Sequence, residues 1–295
     1  MSKNTLSGVI AAVATPVEER GAPDLKRATK LARFLLDNGC DGLNVLGTTG
    51  EATSFSREER MAVMSAYKAD GLPLNRLMVG TGAAAVADAV ALTRRAAELG
   101  FAGALVLPPF YYKGVPDDGL AAYISALVQA AEIPLYLYHF PAMSGLPWHV
   151  ALIKRLRDAF PGRIVGLKDS SGDMAFARAA AAVAPDFAVF PSNEATLLEA
   201  RGGAFAGCIS ATVNCNADLC ARAWAQGDQA ALEAAVNVRK LFDGKALVSG
   251  VKALLAHIHG DPALARVKPP LAPLSVADRT AVTAGYDTVR AKRVA

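Results

Sequence analysis

The chain has 295 residues, 53% hydrophobic and 20% charged, with a net charge of +4. That composition excludes a disordered chain and suits a large buried core. The small, scattered positive charge argues against a nucleic-acid partner, and the length fits either two ordinary domains or one α/β barrel of about 250 residues.

Residues 8–14 read as a first strand. Their Ala-x-Ala-like pattern also occurs in signal peptides, but the apolar stretch is short and Thr15-Pro16 follows at once. A helix is predicted over 24–38, where Leu25, Ala28, Leu31, Ala32 and Leu35 share one face and Gly39 closes the end. Strand 42–46 leads into Gly47-Thr48-Thr49-Gly50-Glu51. That segment reads either as an ordinary glycine turn or as a backbone nest with two hydroxyls, suited to a small carboxylate. Ser56 and Glu59 form a capping box that opens the next helix.

Strand 76–79 precedes Gly80-Thr81-Gly82, a pattern close to a dinucleotide fingerprint. The acidic residue that should end the following strand is replaced by Val106-Leu107-Pro108, so a nucleotide-dependent oxidoreductase is set aside. Strand 103–107 is followed by Tyr111 and Tyr112, and strand 135–140 carries Tyr138 and His139. Alternation along that strand aims His139 away from the face of Tyr138. Strand 164–167 ends at Lys168, with Ser170 and Asp173 as a cap signal for the next helix. Strand 187–190 precedes Ser192, Asn193 and Glu194, and strand 204–209 precedes Ser210.

Eight βα units within about 225 residues predict a TIM (β/α)8 barrel, with an open doubly wound sheet as the competitor. Helical patterns over 229–241, 247–257 and 275–292 then predict a C-terminal helical extension. The expected division is residues 1–225 for the barrel and 226–295 for a helical subdomain. Polar and reactive side chains gather after the strands, where barrels of this kind carry function.

Among them Lys168 is the most informative. Its ammonium, at the end of a buried strand, should lose hydration and fall below the usual pKa of about 10.4. A neutral amine can attack a ketone and form an iminium that accepts electrons from a breaking carbon–carbon bond. The bland alternative is a lysine snorkelling from a strand end. Tyr138 is open in the same way, as an aromatic filling the barrel or as a hydroxyl that moves protons at the substrate oxygen.

Cys40, Cys208, Cys215 and Cys220 lack C-x-x-C spacing, so reduced thiols and a cytoplasmic location are expected. No apolar run reaches the roughly 18 residues of a membrane span. His257 and His259 have no clustered carboxylates or cysteines nearby in sequence, so no metal is expected, and imine chemistry requires no cofactor. The cluster Arg290, Lys292 and Arg293 reads as a solvated helix end.

In order and spacing, six segments resemble one family: Thr15-Pro16, Gly47-Thr48-Thr49-Gly50-Glu51, Pro109-Phe110-Tyr111-Tyr112, Tyr138-His139-Phe140-Pro141, Gly166-Leu167-Lys168-Asp169-Ser170-Ser171-Gly172 and Lys268-Pro269-Pro270-Leu271. It is the family of Schiff-base lyases that contains dihydrodipicolinate synthase, N-acetylneuraminate lyase and 2-keto-3-deoxygluconate aldolase. The resemblance implies that Lys168 is the nucleophile and Tyr138 the acid/base. It implies that Thr48 and Thr49 hold the carboxylate of pyruvate, that Thr48 links Tyr138 to Tyr111 of a neighbouring subunit, and that Ile209 offers a backbone carbonyl. A homotetramer is implied with it.

Two departures bear on the substrate. Met143 stands where the synthase branch typically carries an arginine for the second substrate, and a methionine cannot make that contact. Ser192-Asn193-Glu194 keeps one carboxylate where the sialic-acid branch has an adjacent pair. Hydroxyls bound by Ser192, Asn193 and Glu194 point to a pyruvate-dependent aldolase acting on a 2-keto-3-deoxy sugar acid or related 2-oxo acid. The alternatives are the synthase condensing pyruvate with aspartate semialdehyde, a dehydratase using the same imine, and a non-catalytic keto-acid binder.

Overall fold

The computed structural model describes residues 6–292. Eight strands are present: β1 (Gly8–Ala12), β2 (Gly42–Val45), β3 (Leu77–Gly80), β4 (Gly103–Val106), β5 (Leu135–His139), β6 (Ile164–Asp169), β7 (Ala188–Pro191) and β8 (Gly207–Ser210). They pair in the order β7-β6-β5-β4-β3-β2-β1-β8, every pair parallel. Across the remaining seam the amide of Ala206 donates to the carbonyl of Val189 at 2.9 Å. With helices between the strands, this is a nearly closed (β/α)8 barrel.

Both faces of each strand are buried, which is why the strands read as near-continuous apolar runs. Val9, Leu43, Val45, Val79, Leu137 and Val189 join the core beneath the surrounding helices. Ile10, Met78, Leu105, Tyr136, Tyr138, Phe190 and Ile209 form a second cluster that fills the barrel. Gly166 makes that filling possible: a Cβ there would lie 2.8 Å from the ring of Tyr136 and 2.3 Å from the carbonyl of Ala188.

The helix Leu25–Asp37 buries Ala28, Leu31, Ala32 and Leu35, and Asp24 caps it by accepting from the amide of Arg27. Helix Arg57–Ala69 starts with the expected capping box, both reciprocal bonds being present. Helices Gln229–Lys240, Leu247–His259 and Val276–Ala291 follow the barrel. Their buried residues, including Ala235, Val238, Val251, Leu254 and Val282, join the same core that wraps the strands. Asn216 interrupts helix Val213–Gln226 with φ −140°, and its amide donates to Ala235 O at 3.0 Å, tying the extension to the barrel.

Several boundaries differ from the sequence reading. β3 starts at Leu77 because Leu74–Arg76 forms a 3-10 turn, from which Arg76 holds the carbonyls of Cys40 and Asp41. β6 runs on to Asp169, so Lys168 lies within the strand. The cap of helix Met174–Ala181 is Asp173, which accepts from Ala175 and Phe176, and not Ser170. Ser170 turns toward Tyr138 instead. Arg290 forms a two-bond pair with Asp218, at 2.7 and 2.9 Å, while Arg293 lies outside the described residues. Among the described residues no helix is long and apolar enough to cross a membrane. All four cysteines are free and buried, and burial pushes the Cys40 thiol up to about 12.

Candidate active site

At the C-terminal ends of the strands lies a cavity of ≈ 450 Å³. Thr48, Thr49, Tyr138, Lys168, Ser192 and Asn193 line it from the barrel, Phe140 and Met143 from the N-cap and body of the short helix Pro141–Ser144 after β5, and Arg239, Val248 and Ser249 from the C-terminal helices. Strand register pairs Tyr138 with Lys168 and Lys168 with Phe190, so these three side chains share one layer of the barrel. Lys168 is 2% exposed, and its Nζ lies 4.4 Å from the centroid of the Tyr138 ring. Among the described residues it forms no ion pair, unlike the other fully buried lysine, Lys252. Its amine therefore sits against an aromatic face at the cavity wall with no carboxylate bonded to it.

The Tyr138 hydroxyl is 3.2 Å from Thr48 Oγ1, and Ser170 Oγ donates to it at 3.4 Å. Thr48 and Thr49 occupy a turn bracketed by two non-glycine residues in the left-handed region, Leu46 at φ 54° and Glu51 at φ 56°. Such conformations cost about 1–3 kcal/mol each and persist only where the surroundings impose them. The surroundings are visible. The buried Glu51 carboxylate pairs with Lys252 Nζ and accepts from the amide of Lys268 at 2.6 Å. Lys252 also donates to the carbonyl of Thr15 at 3.0 Å, and burial pulls its ammonium below the usual lysine range against the opposing pull of Glu51. The first and last parts of the chain therefore hold the threonine turn from behind.

Sequence reasoning did not find Lys252. The available signal was a lone charge inside the apolar helix pattern Leu247–His259, on the same buried stretch as Val251 and Leu254. It also missed Arg60, a buried guanidinium that donates to the carbonyls of Gly80 and Gly82 at 2.8 and 3.2 Å. With no carboxylate bonded to it, burial lowers the Arg60 pKa to about 10. Arg60 thereby covers the Gly80-Thr81-Gly82 turn that had suggested a nucleotide.

The remaining expected residues separate. Ser192 faces the cavity but donates its hydroxyl to Ile209 O at 2.9 Å, so the Ile209 carbonyl already has a partner. Asn193 uses Oδ1 to cap the following turn through the amide of Ala195. Glu194 does not reach the cavity: it is fully buried, accepting from Thr212, Asn216 and Arg239. Tyr111 is 76% exposed, packs edge-on against Tyr112, and takes no part in this cavity within its own chain. His139 does point away from Tyr138: its ring stacks on Phe176 at 4.0 Å and Nδ1 accepts from the amide of Trp148. Burial lowers its pKa. His257 pairs with Asp287, His259 packs edge-on against Phe34, and among the described residues no acidic, histidine or cysteine cluster could hold a metal.

A buried lysine against a tyrosine ring, at the mouth of a (β/α)8 barrel, is the site of a lyase of the aldolase and synthase class, as the relatives below show. The model of the dihydrodipicolinate synthetase family matches residues 5–288, and the chain belongs to that family. An uncharacterized DapA-like lyase of Chloroflexus aurantiacus is 34% identical over 292 residues, covering 96% of this chain and 97% of that protein. Dihydrodipicolinate synthase from Agrobacterium tumefaciens superposes with a TM-score of 0.89 at 29% identity, over 96% of this chain and 99% of the other. YagE of Escherichia coli K12, a prophage protein of the same family solved in complex with pyruvate, gives 0.88 at 25% identity, over 97% and 99%.

Proposed function

We propose that this lyase is a class I, pyruvate-dependent carbon–carbon lyase that acts through an imine on Lys168, with a 2-keto-3-deoxy sugar acid or related 2-oxo acid as substrate. The observation that carries the reading is the layer of Lys168 and Tyr138, with the Tyr138 hydroxyl in reach of Thr48. That YagE was solved in complex with pyruvate supports pyruvate as the ligand of this cavity.

In the cleavage direction, Lys168 Nζ attacks C2 of the 2-oxo acid, and Tyr138 passes a proton to the departing oxygen as water leaves. The iminium then accepts the electron pair of the C3–C4 bond while the C4 hydroxyl loses its proton, which releases an aldehyde and leaves an enamine. Protonation at C3 and hydrolysis return pyruvate and the free amine. Thr49 and the backbone of the turn receive the substrate carboxylate. Thr48 extends the relay from Tyr138 toward Tyr111 of a neighbouring copy in a homotetramer, a role that fits the high exposure of Tyr111.

Synthase activity with aspartate semialdehyde is the second reading, favoured by relatives such as the 4-hydroxy-tetrahydrodipicolinate synthase of Rhodospirillum centenum, 36% identical over 229 residues. Met143, 65% exposed at the cavity, offers no charge to the second substrate at the place where that chemistry would use one. Borohydride reduction in the presence of pyruvate, read by intact mass, tests the proposal. Wild type should gain one reduced adduct, absent in Lys168→Ala; an unmodified wild type, or turnover retained in the variant, refutes the imine. Efficient use of aspartate semialdehyde with no product from other aldehydes would favour the synthase.

A further inference from the structure

Among the described residues Arg239 is the one guanidinium that lines the lysine cavity, and its nitrogens are not used equally. Nη1 faces the protein, donating to Glu194 Oε2 at 3.2 Å, Ser210 Oγ at 3.2 Å and Thr212 Oγ1 at 3.5 Å. Nε and Nη2 have no hydrogen-bond partner among the described residues. Those two nitrogens form the edge of the guanidinium that meets a carboxylate. The same edge binds Asp70 from Arg33 and Glu199 from Arg178 in this chain.

The counter-charge does not cancel that edge from within the cavity. Glu194 is fully buried while the Arg239 side chain is 31% exposed, so the pair places its negative end in the protein and its positive end at the cavity. Bonds from Thr212 and Asn216 further disperse the charge of Glu194. The hydroxyl-binding candidates are partly spent, Ser192 on Ile209 and Asn193 Oδ1 on Ala195. What the wall offers to a ligand is a planar cationic fork.

We propose that Arg239 sets substrate specificity by receiving a carboxylate at the far end of the aldehyde-derived half, so that the cleaved substrate is a 2-oxo diacid and the released aldehyde is itself an acid. This rests on the Lys168 imine and narrows the substrate class given above. Glu194 acts as a positioning residue that holds the guanidinium by Nη1 and leaves the other edge open.

The test compares pyruvate condensation with succinic semialdehyde and with butanal, which share a four-carbon chain and differ in the terminal carboxylate. Wild type should prefer the acid in kcat/KM by at least about tenfold, the discrimination one charge-assisted contact supplies. Arg239→Gln should lower the acid-to-neutral ratio by a similar factor, mainly through KM, with Arg239→Lys intermediate because an ammonium keeps the charge but loses the fork. The ratio is internal to each variant, and the pyruvate adduct at Lys168 reports that the site is folded. A wild type that turns over both aldehydes equally, prefers butanal, or forms the adduct yet uses neither aldehyde overturns the assignment of Arg239. So does an unchanged ratio in Arg239→Gln. Absence of the adduct in wild type sinks the imine reading, and this proposal with it.

Discussion

Replacing Lys252 by methionine removes one half of an ion pair whose side chains are 1% and 0% exposed. The Glu51 carboxylate would keep the amide of Lys268 but lose its only cationic partner among the described residues. Exposed pairs such as Arg33–Asp70, at 48% and 44%, contribute about 0–1 kcal/mol. For a fully buried pair, truncating one partner costs about 3–5 kcal/mol, because a charge is left in the interior without compensation. At about 2 °C per kcal/mol for a chain of this size, Lys252→Met should lower the melting temperature by roughly 8 °C. Glu51→Gln/Lys252→Met should recover part of the loss, since neither charge then remains. Scanning calorimetry on the three proteins gives the comparison. A drop below about 2 °C for Lys252→Met, or a double variant less stable than that single one, would refute the argument. Because Glu51 ends the turn that carries Thr48 and Thr49, the single variant should also raise KM for pyruvate.

Tyr138→Phe keeps the ring beneath Lys168 but removes the hydroxyl that meets Thr48, and should lower kcat by about 10²–10⁴-fold with the pyruvate adduct still forming, slowly, under borohydride. A kcat within threefold of wild type, by initial rates, would remove Tyr138 from the proton path. Acid titration of stability should reveal His139 and His259, whose pKa values burial lowers in the folded chain. The unfolded chain then binds more protons, so stability rises with pH between the folded values and about 6.5 and is lost as pH falls through that window. Urea midpoints at pH 7.5 and 5.5 should show the loss, smaller in His139→Gln; equal midpoints would count against both buried imidazoles. Gly80→Ala should yield little folded protein, because its Cβ would lie 2.0 Å from the Leu46 carbonyl between β2 and β3; normal yield and melting would show that the strands can part there.

Much of this protein is legible one segment at a time. Strand and helix identity come from local periodicity, and a parallel sheet buried on both faces leaves long apolar runs with polar residues only where the chain exits the barrel. That is why Lys168, Tyr138, Thr48 and Thr49 stand out in the sequence, and the cavity brings them together. Alternation along β5 sufficed for His139, since a one-residue step reverses the face.

Contacts across large sequence separations had no such local mark. Glu194 reads as a cavity carboxylate because it follows a strand, yet it is buried behind Arg239, 45 residues later in the chain. Lys252 lies 201 residues from Glu51, and Arg239 looks like any basic residue in the last turn of a surface helix. Periodicity reports which way a side chain leaves its own helix or strand. Only packing of the C-terminal helices over the barrel mouth decides which charge meets which, and which edge of a guanidinium is left without a hydrogen bond among the described residues.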